Sequence, residues 1–292
     1  MANFGPKDIK KLREMTDAGM MDCKEALKAT DGDMEKAVEW LRKKGLGAAA
    51  KKADKVAAEG TIAIKSDANK AIMLEINSQT DFVAKNEKFQ SFVAEVLEHV
   101  FANDFETIED ILASQINNQP FADYLALQIA TIGENLVVRR YAKVITDGSL
   151  GTYVHANGRV GVIVAANKPG AEEALKNIAM HAAAMNPRFI NEDAVPADVI
   201  EKEKEIAKEQ LIKEGKPENI LDKILPGKIK RFLQDNTLEN QKFVMDDKIS
   251  VGEYLNKSCD GAKLNSYVRF ELGEGIEKVE EDFAAEVAKQ MA

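Results

Sequence analysis

Histidine, cysteine and the nucleophilic hydroxyls are the residues whose spacing could carry catalysis, and in this chain of 292 residues they form no such pattern. His99, His155 and His181 lack metal-ligand spacing, and there is no Gly-x-Ser-x-Gly elbow, Walker A sequence or Cys/His nucleophile pair. Cys23 and Cys259 are too few and too far apart for a disulfide framework or a zinc site, which leaves reduced thiols. Asp31-Gly32-Asp33-Met34-Glu35-Lys36 begins like a calcium loop but has no glycine at its sixth position, so helix capping accounts for it better. Gly45-Leu46-Gly47-Ala48-Ala49-Ala50 loosely fits a dinucleotide fingerprint, yet it follows a helical pattern and reads as a helix stop and linker. These absences argue against an enzyme, a bound metal or a cofactor.

What remains is the chemistry of recognition. The apolar run Ala71-Ile72-Met73-Leu74-Glu75-Ile76 reads as a buried strand, and Phe89, Phe92, Val93, Val96, Leu97 and Val100 recur at helical spacing. Thr80-Asp81-Phe82-Val83-Ala84-Lys85-Asn86 joins the two. Thr80 or Asp81 can cap the first helical turn, which puts Phe82 at its tip. An acid beside an aromatic there is a candidate wedge; the alternative is that Phe82, seven residues before Phe89, joins the buried stripe.

Composition narrows the classes. The chain is 45% hydrophobic and 30% charged, as globular proteins are, and its net charge of −9 opposes a large nucleic-acid face. The Lys51-Lys52-Ala53-Asp54-Lys55 run is the one feature favouring a ribosome- or nucleic-acid-associated module. No apolar run approaches the roughly 20 residues that span a bilayer and the start has no apolar leader, so a cytoplasmic location is expected.

The elements that position the junction follow from periodicity and punctuation. Residues 1–45 read as three short helices, with Leu12, Cys23, Ala26, Leu27 and Leu41 among their apolar positions and Gly45 as a stop. Met20 and Met21 suit either core filler or an adaptable contact surface. Residues 46–58 read as a partly helical linker. Gly60-Thr61, a polar turn and the run Ile72-Met73-Leu74 recur as Gly151-Thr152, a turn at Ala156-Asn157-Gly158 and the run Val162-Ile163-Val164. Each hairpin is followed by a helix and later by a third strand, near Asn135–Arg139 and Asn265–Arg269, so the fold class expected is α+β with two repeated subdomains, 59–147 and 148–272. The second copy is longer by about 39 residues, which the helical hairpin at 191–235 supplies. Pro226-Gly227 should kink or break the return helix, and the hairpin suits either self-association or packing on its own body. Residues 273–292 read as a C-terminal module with a final helix.

Thr80 to Asn86 resembles the signature of the elongation factor Ts family, as do Leu12 to Lys24 and Arg269 to Lys278; Gly32 to Leu41 also resembles the last helix of ubiquitin-associated domains. The resemblance spans nearly the whole chain. It implies a guanine-nucleotide exchange factor that binds elongation factor Tu, with GDP or without nucleotide, and needs no cofactor, nucleic acid or membrane. It further implies that Thr80, Asp81, Phe82 and Val83 disturb the partner's Mg²⁺ and phosphate region, and that Leu12, Met20, Met21, His155 and Phe283 contact the partner. His155 alone, in a strand beside a turn, would ordinarily be structural or solvated.

Overall fold

The structure is a computed structural model that describes residues 3–16 and 18–277. It is an α+β protein. The chain opens with α1 (Pro6–Thr16), α2 (Met20–Ala29) and α3 (Met34–Lys52), then the hairpin strands β1 (Glu59–Ser66) and β2 (Lys70–Ser78), a single turn of helix α4 (Asp81–Ala84) and α5 (Glu87–Ala102). Next come α6 (Ile108–Leu112), the short pair β3 (Gln115–Ile116) and β4 (Gln119–Pro120), α7 (Phe121–Ile132) and β5 (Val137–Ile145). The second half holds β6 (Ser149–His155), β7 (Val160–Ala166), α8 (Glu172–Met185), α9 (Ala197–Lys213), α10 (Glu218–Asn236), β8 (Lys242–Phe243), β9 (Asp246–Ser250), α11 (Val251–Ser258) and β10 (Leu264–Glu271).

The repeat is visible in the topology. The two three-stranded sheets have the orders β1-β2-β5 and β6-β7-β10, so in both the second hairpin strand lies between the first and the late third strand. A continuous apolar run occupies that central place each time, because a middle strand has neighbours on both edges; β7 is buried along its whole length. β7 pairs antiparallel with both neighbours, His155 facing Val160 on one edge and Glu271 facing Val160 on the other.

Two compact units divide the chain, and they do not coincide with 59–147 and 148–272. Among the described residues, the first comprises 3–16, 18–61, 75–140 and 272–277. In it Leu12, Ala18, Cys23, Ala26, Leu27, Ala37 and Leu41 form one core together with Leu127 of α7. The three helices are therefore not a module set behind a linker. Gly45 does not stop α3, which runs on to Lys52, and most of the expected linker is helix. A glycine stops a helix by turning left-handed, whereas Gly45 keeps the helical backbone of α3 and lies against α7, where a β-carbon would meet the Leu127 backbone at 3.4 Å, an ordinary contact. Arg42 of α3 also pairs with the buried Asp123 of α7 at 2.7 Å.

The second unit comprises 62–74 and 141–271. Its core joins Val162, Val164, Leu175, Ile178, Leu238, Phe243, Val251, Leu255 and Leu264. The hairpin of α9 and α10 buries Ala207, Leu211 and Leu221. Of the expected kink or break at Pro226-Gly227, the break does not occur: α10 continues to Asn236 with Pro226 inside it. An internal proline costs about 3 kcal/mol; half-buried Ile220, Ile224, Leu225, Ile229 and Phe232 continue the apolar stripe through it and offset that cost.

Candidate functional site

The junction after β2 is built by hydrogen bonds that local sequence supplies. Thr80 is the N-cap of α4, its Oγ1 accepting the Val83 N–H at 3.3 Å. Ser78 Oγ donates to the Thr80 carbonyl at 3.1 Å. After the single turn, Asn86 returns to an extended conformation and caps α5, its side chain accepting the Lys88 N–H at 2.9 Å. Gln90 Nε2 ties back to the Ala84 carbonyl at 2.6 Å. Both ends of the motif are thereby fixed.

Glu134 adds a support from 54 residues away in sequence. The Gln79 and Thr80 N–H groups both donate to its Oε2 at 3.0 Å, and Thr80 Oγ1 donates to Oε1 at 2.7 Å. Its position follows from the end of α7, where Gly133 takes the left-handed conformation (φ 92°) and its N–H returns to the Ile129 carbonyl. Asn135 then pins the chain, donating to the Lys55 carbonyl at 2.8 Å. Sequence reasoning missed Glu134. Nothing in a lone glutamate after a helix stop indicates that two amides and a hydroxyl distant in sequence converge on it.

Between these fixed ends Phe82 stands clear, 81% exposed. The structure excludes its joining the stripe of Phe89, Phe92, Val93, Val96 and Val100, all of which are buried on α5. Counting seven residues back from Phe89 assumes one continuous helix, whereas the break at Asn86 resets the helical phase. Asp81 pairs with Lys85 Nζ at 2.7 Å, and that ammonium holds its carboxyl below the usual carboxylate range. Val83 is half-buried.

The other expected contact residues fare differently. Met20 and Met21 are 60% and 65% exposed, so they are not core filler; Met15 is exposed as well. Leu12 is fully buried in the helical core, on the inner face of α1 with Cys23, Leu27 and Leu41. His155 is exposed at the end of β6, with Tyr153 Oη 3.1 Å from its Nδ1. Phe283 lies outside the described residues. Among the described residues no group of three or more His, Cys, Asp and Glu side chains could hold a metal ion. No helix among them is long and apolar enough to cross a membrane.

A buried network lies in the same unit. Glu75 receives Arg139 Nη1 at 3.0 Å on both oxygens, the Gly273 N–H at 2.9 Å and Asn77 Nδ2 at 3.1 Å, and it pairs with Arg140 Nε. Burial alone would push its carboxyl up, but the Gly273 N–H, Arg140 and Asn77 prevail and hold it below the usual range. Arg140 Nη1 also reaches Glu274 at 3.0 Å. Within the described part of the Arg269 to Lys278 motif, Arg269–Glu271 end β10 and residues 272–275 form a turn, of which Gly273 binds Glu75 and Glu274 binds Arg140.

Comparisons with known proteins identify the family. The profile of the family described as "Elongation factor TS" matches residues 79–274. "Elongation factor Ts" of a Nitratiruptor species is 52% identical over 297 residues, covering 97% of each chain. That of a Sulfurovum species is 49% identical over the full length of both, and that of Halothermothrix orenii is 45% identical over 98% of this chain and 97% of its own. With a profile match over about two thirds of its length and relatives this similar from end to end, the chain belongs to the elongation factor Ts family.

Proposed function

We propose that this protein speeds GDP release from elongation factor Tu by pressing the Thr80–Val83 turn against the Mg²⁺ and phosphate region of that GTPase. The family implies nucleotide exchange in translation elongation with elongation factor Tu as partner. One observation carries the finer reading: Phe82, a large aromatic, is exposed at the tip of a turn whose two ends are held by hydrogen bonds. Exposing a phenyl ring to water is unfavourable by a few kcal/mol. A rigid mount lets the ring enter a partner without first losing conformational freedom.

GDP is held largely by backbone N–H groups and Mg²⁺ around its phosphates, so a small displacement there weakens it. Asp81 offers a negative charge beside the wedge for polar contacts. Met20 and Met21 supply a pliable apolar surface that grips the partner, and His155 supplies a further contact. By linkage, a protein that binds the empty GTPase better than its GDP form must weaken GDP by that same factor, and rebinding nucleotide releases it. The protein needs no nucleotide, nucleic acid or membrane for this and acts in the cytoplasm. The α9–α10 hairpin is available for self-association.

Release of labelled GDP from elongation factor Tu, followed with and without this protein, tests the proposal. A large acceleration at substoichiometric amounts is expected; an unchanged release rate would reject it.

A further inference from the structure

We propose that Glu134 is a positioning residue for exchange: its carboxylate sets the Thr80 turn in the one geometry that presents Phe82. This rests on the reading of Phe82 as a wedge. Three hydrogen bonds converge on one half-buried carboxylate, from the N–H groups of Gln79 and Thr80 to Oε2 and from Thr80 Oγ1 to Oε1. The helix these bonds start, α4, is one turn of four residues, too short to hold itself. Thr80 Oγ1 is also the group that accepts the Val83 N–H, so the carboxylate orients the hydroxyl that starts the helix. Glu134 is therefore coupled to Phe82 through Thr80 without touching the exposed ring.

The mount is itself well fixed. Glu134 sits between the left-handed stop at Gly133 and Asn135, whose side chain is bound to the Lys55 carbonyl. Lys52 Nζ binds the Gly133 carbonyl. A turn released from this anchor would sample several conformations, and the share that presents Phe82 correctly would fall. Maximal exchange should fall with that share.

Release of fluorescent GDP from elongation factor Tu, measured across a range of concentrations of the full-length protein, separates maximal rate from half-saturating concentration. Glu134→Ala should lower the maximal stimulated rate about fivefold or more while shifting half-saturation by no more than about twofold. Glu134→Gln should keep most of the maximal rate, since its amide oxygen can still accept both N–H groups. Adding Glu134→Ala to Phe82→Ala should slow release no further, because the anchor acts only through the ring. A wild-type maximal rate for Glu134→Ala, a Gln variant as slow as the Ala variant, or an additive double variant would each overturn the proposal. If Glu134→Ala melts below the assay temperature, Glu134→Asp decides: its carboxylate is one methylene short, so a reduced maximal rate is expected and a wild-type rate overturns the assignment. The Phe82→Ala protein alone reports on the underlying reading. Should it exchange at the wild-type rate, the wedge fails; should only it be slow, Glu134 alone is misassigned.

Discussion

Phe82 illustrates how exposure separates function from stability at a single residue. A buried phenylalanine cut to alanine costs about 3–5 kcal/mol through lost transfer energy and a cavity. Phe82 has no cavity to leave, so Phe82→Ala should change stability by no more than about 0.5 kcal/mol. The variant should melt close to wild type and still bind nucleotide-free elongation factor Tu, while GDP release slows clearly. Early melting with wild-type exchange by the folded fraction would contradict this. His181 shows the opposite case. It is fully buried on α8, with Nε2 2.9 Å from Gln241 Oε1 and Nδ1 accepting the Val244 N–H at 3.1 Å. Burial pushes its pKa below the ordinary 6.5, against a smaller upward pull from Gln241, and burial likewise lowers His99. In the unfolded chain both take up protons near pH 6.5, while in the fold they do so only at lower pH. Stability is therefore fully present above pH 6.5 and declines as the pH falls from there toward the folded values. Thermal melts between pH 7.5 and about 5 should show this decline, and His181→Gln should make it shallower.

At the scale of elements, the helical hairpin joins the second unit through two neighbouring strands of chain. Arg188 and Phe189 N–H groups donate to the Asn236 carbonyl at 2.9 and 3.1 Å, and Leu238 and Glu239 N–H groups return to Phe189 and Ile190 at 2.8 and 3.0 Å. Since entry and exit are already side by side, replacing residues 191–235 with a short Gly-Ser turn needs little loop closure. The shortened protein should stay folded and keep most of its one-to-one exchange activity. Sedimentation would reveal any loss of self-association, and a collapsed circular dichroism spectrum would show that α9 and α10 belong to the core.

For the molecule as a whole, the shared core of α1–α3 with Leu127 changes what truncation should do. A module behind a linker could be removed cleanly. Here, deleting residues 1–45 uncovers Leu127 and leaves Asp123 without Arg42, so the remainder should melt earlier than the full chain, besides losing the exposed Met20 and Met21. An unchanged melting temperature would restore the independent module. Linkage sets a second whole-molecule expectation: the factor by which saturating GDP weakens the complex with elongation factor Tu must equal the factor by which this protein weakens GDP, measurable by titration in both directions.

The repeated hairpins, the inserted helices and a cap at Thr80 or Asp81 were legible in the sequence, because each rests on periods of two or 3.6 residues and on capping side chains close in the chain. Family membership was legible too, from short motifs. Pattern did not reveal that Gly45 lies inside α3 against α7 instead of ending the helix, that Pro226 sits inside an unbroken helix, or that Leu12 faces inward. Each depends on what packs from elsewhere in the chain. The phase of Phe82 was open in the sequence for a related reason: a helix broken at Asn86 and a continuous one carry the same apolar spacing, and only the backbone conformation there separates them. Glu134 was wholly a matter of tertiary structure, since a carboxylate gains its role from the N–H groups that converge on it, and these lie 54 and 55 positions away.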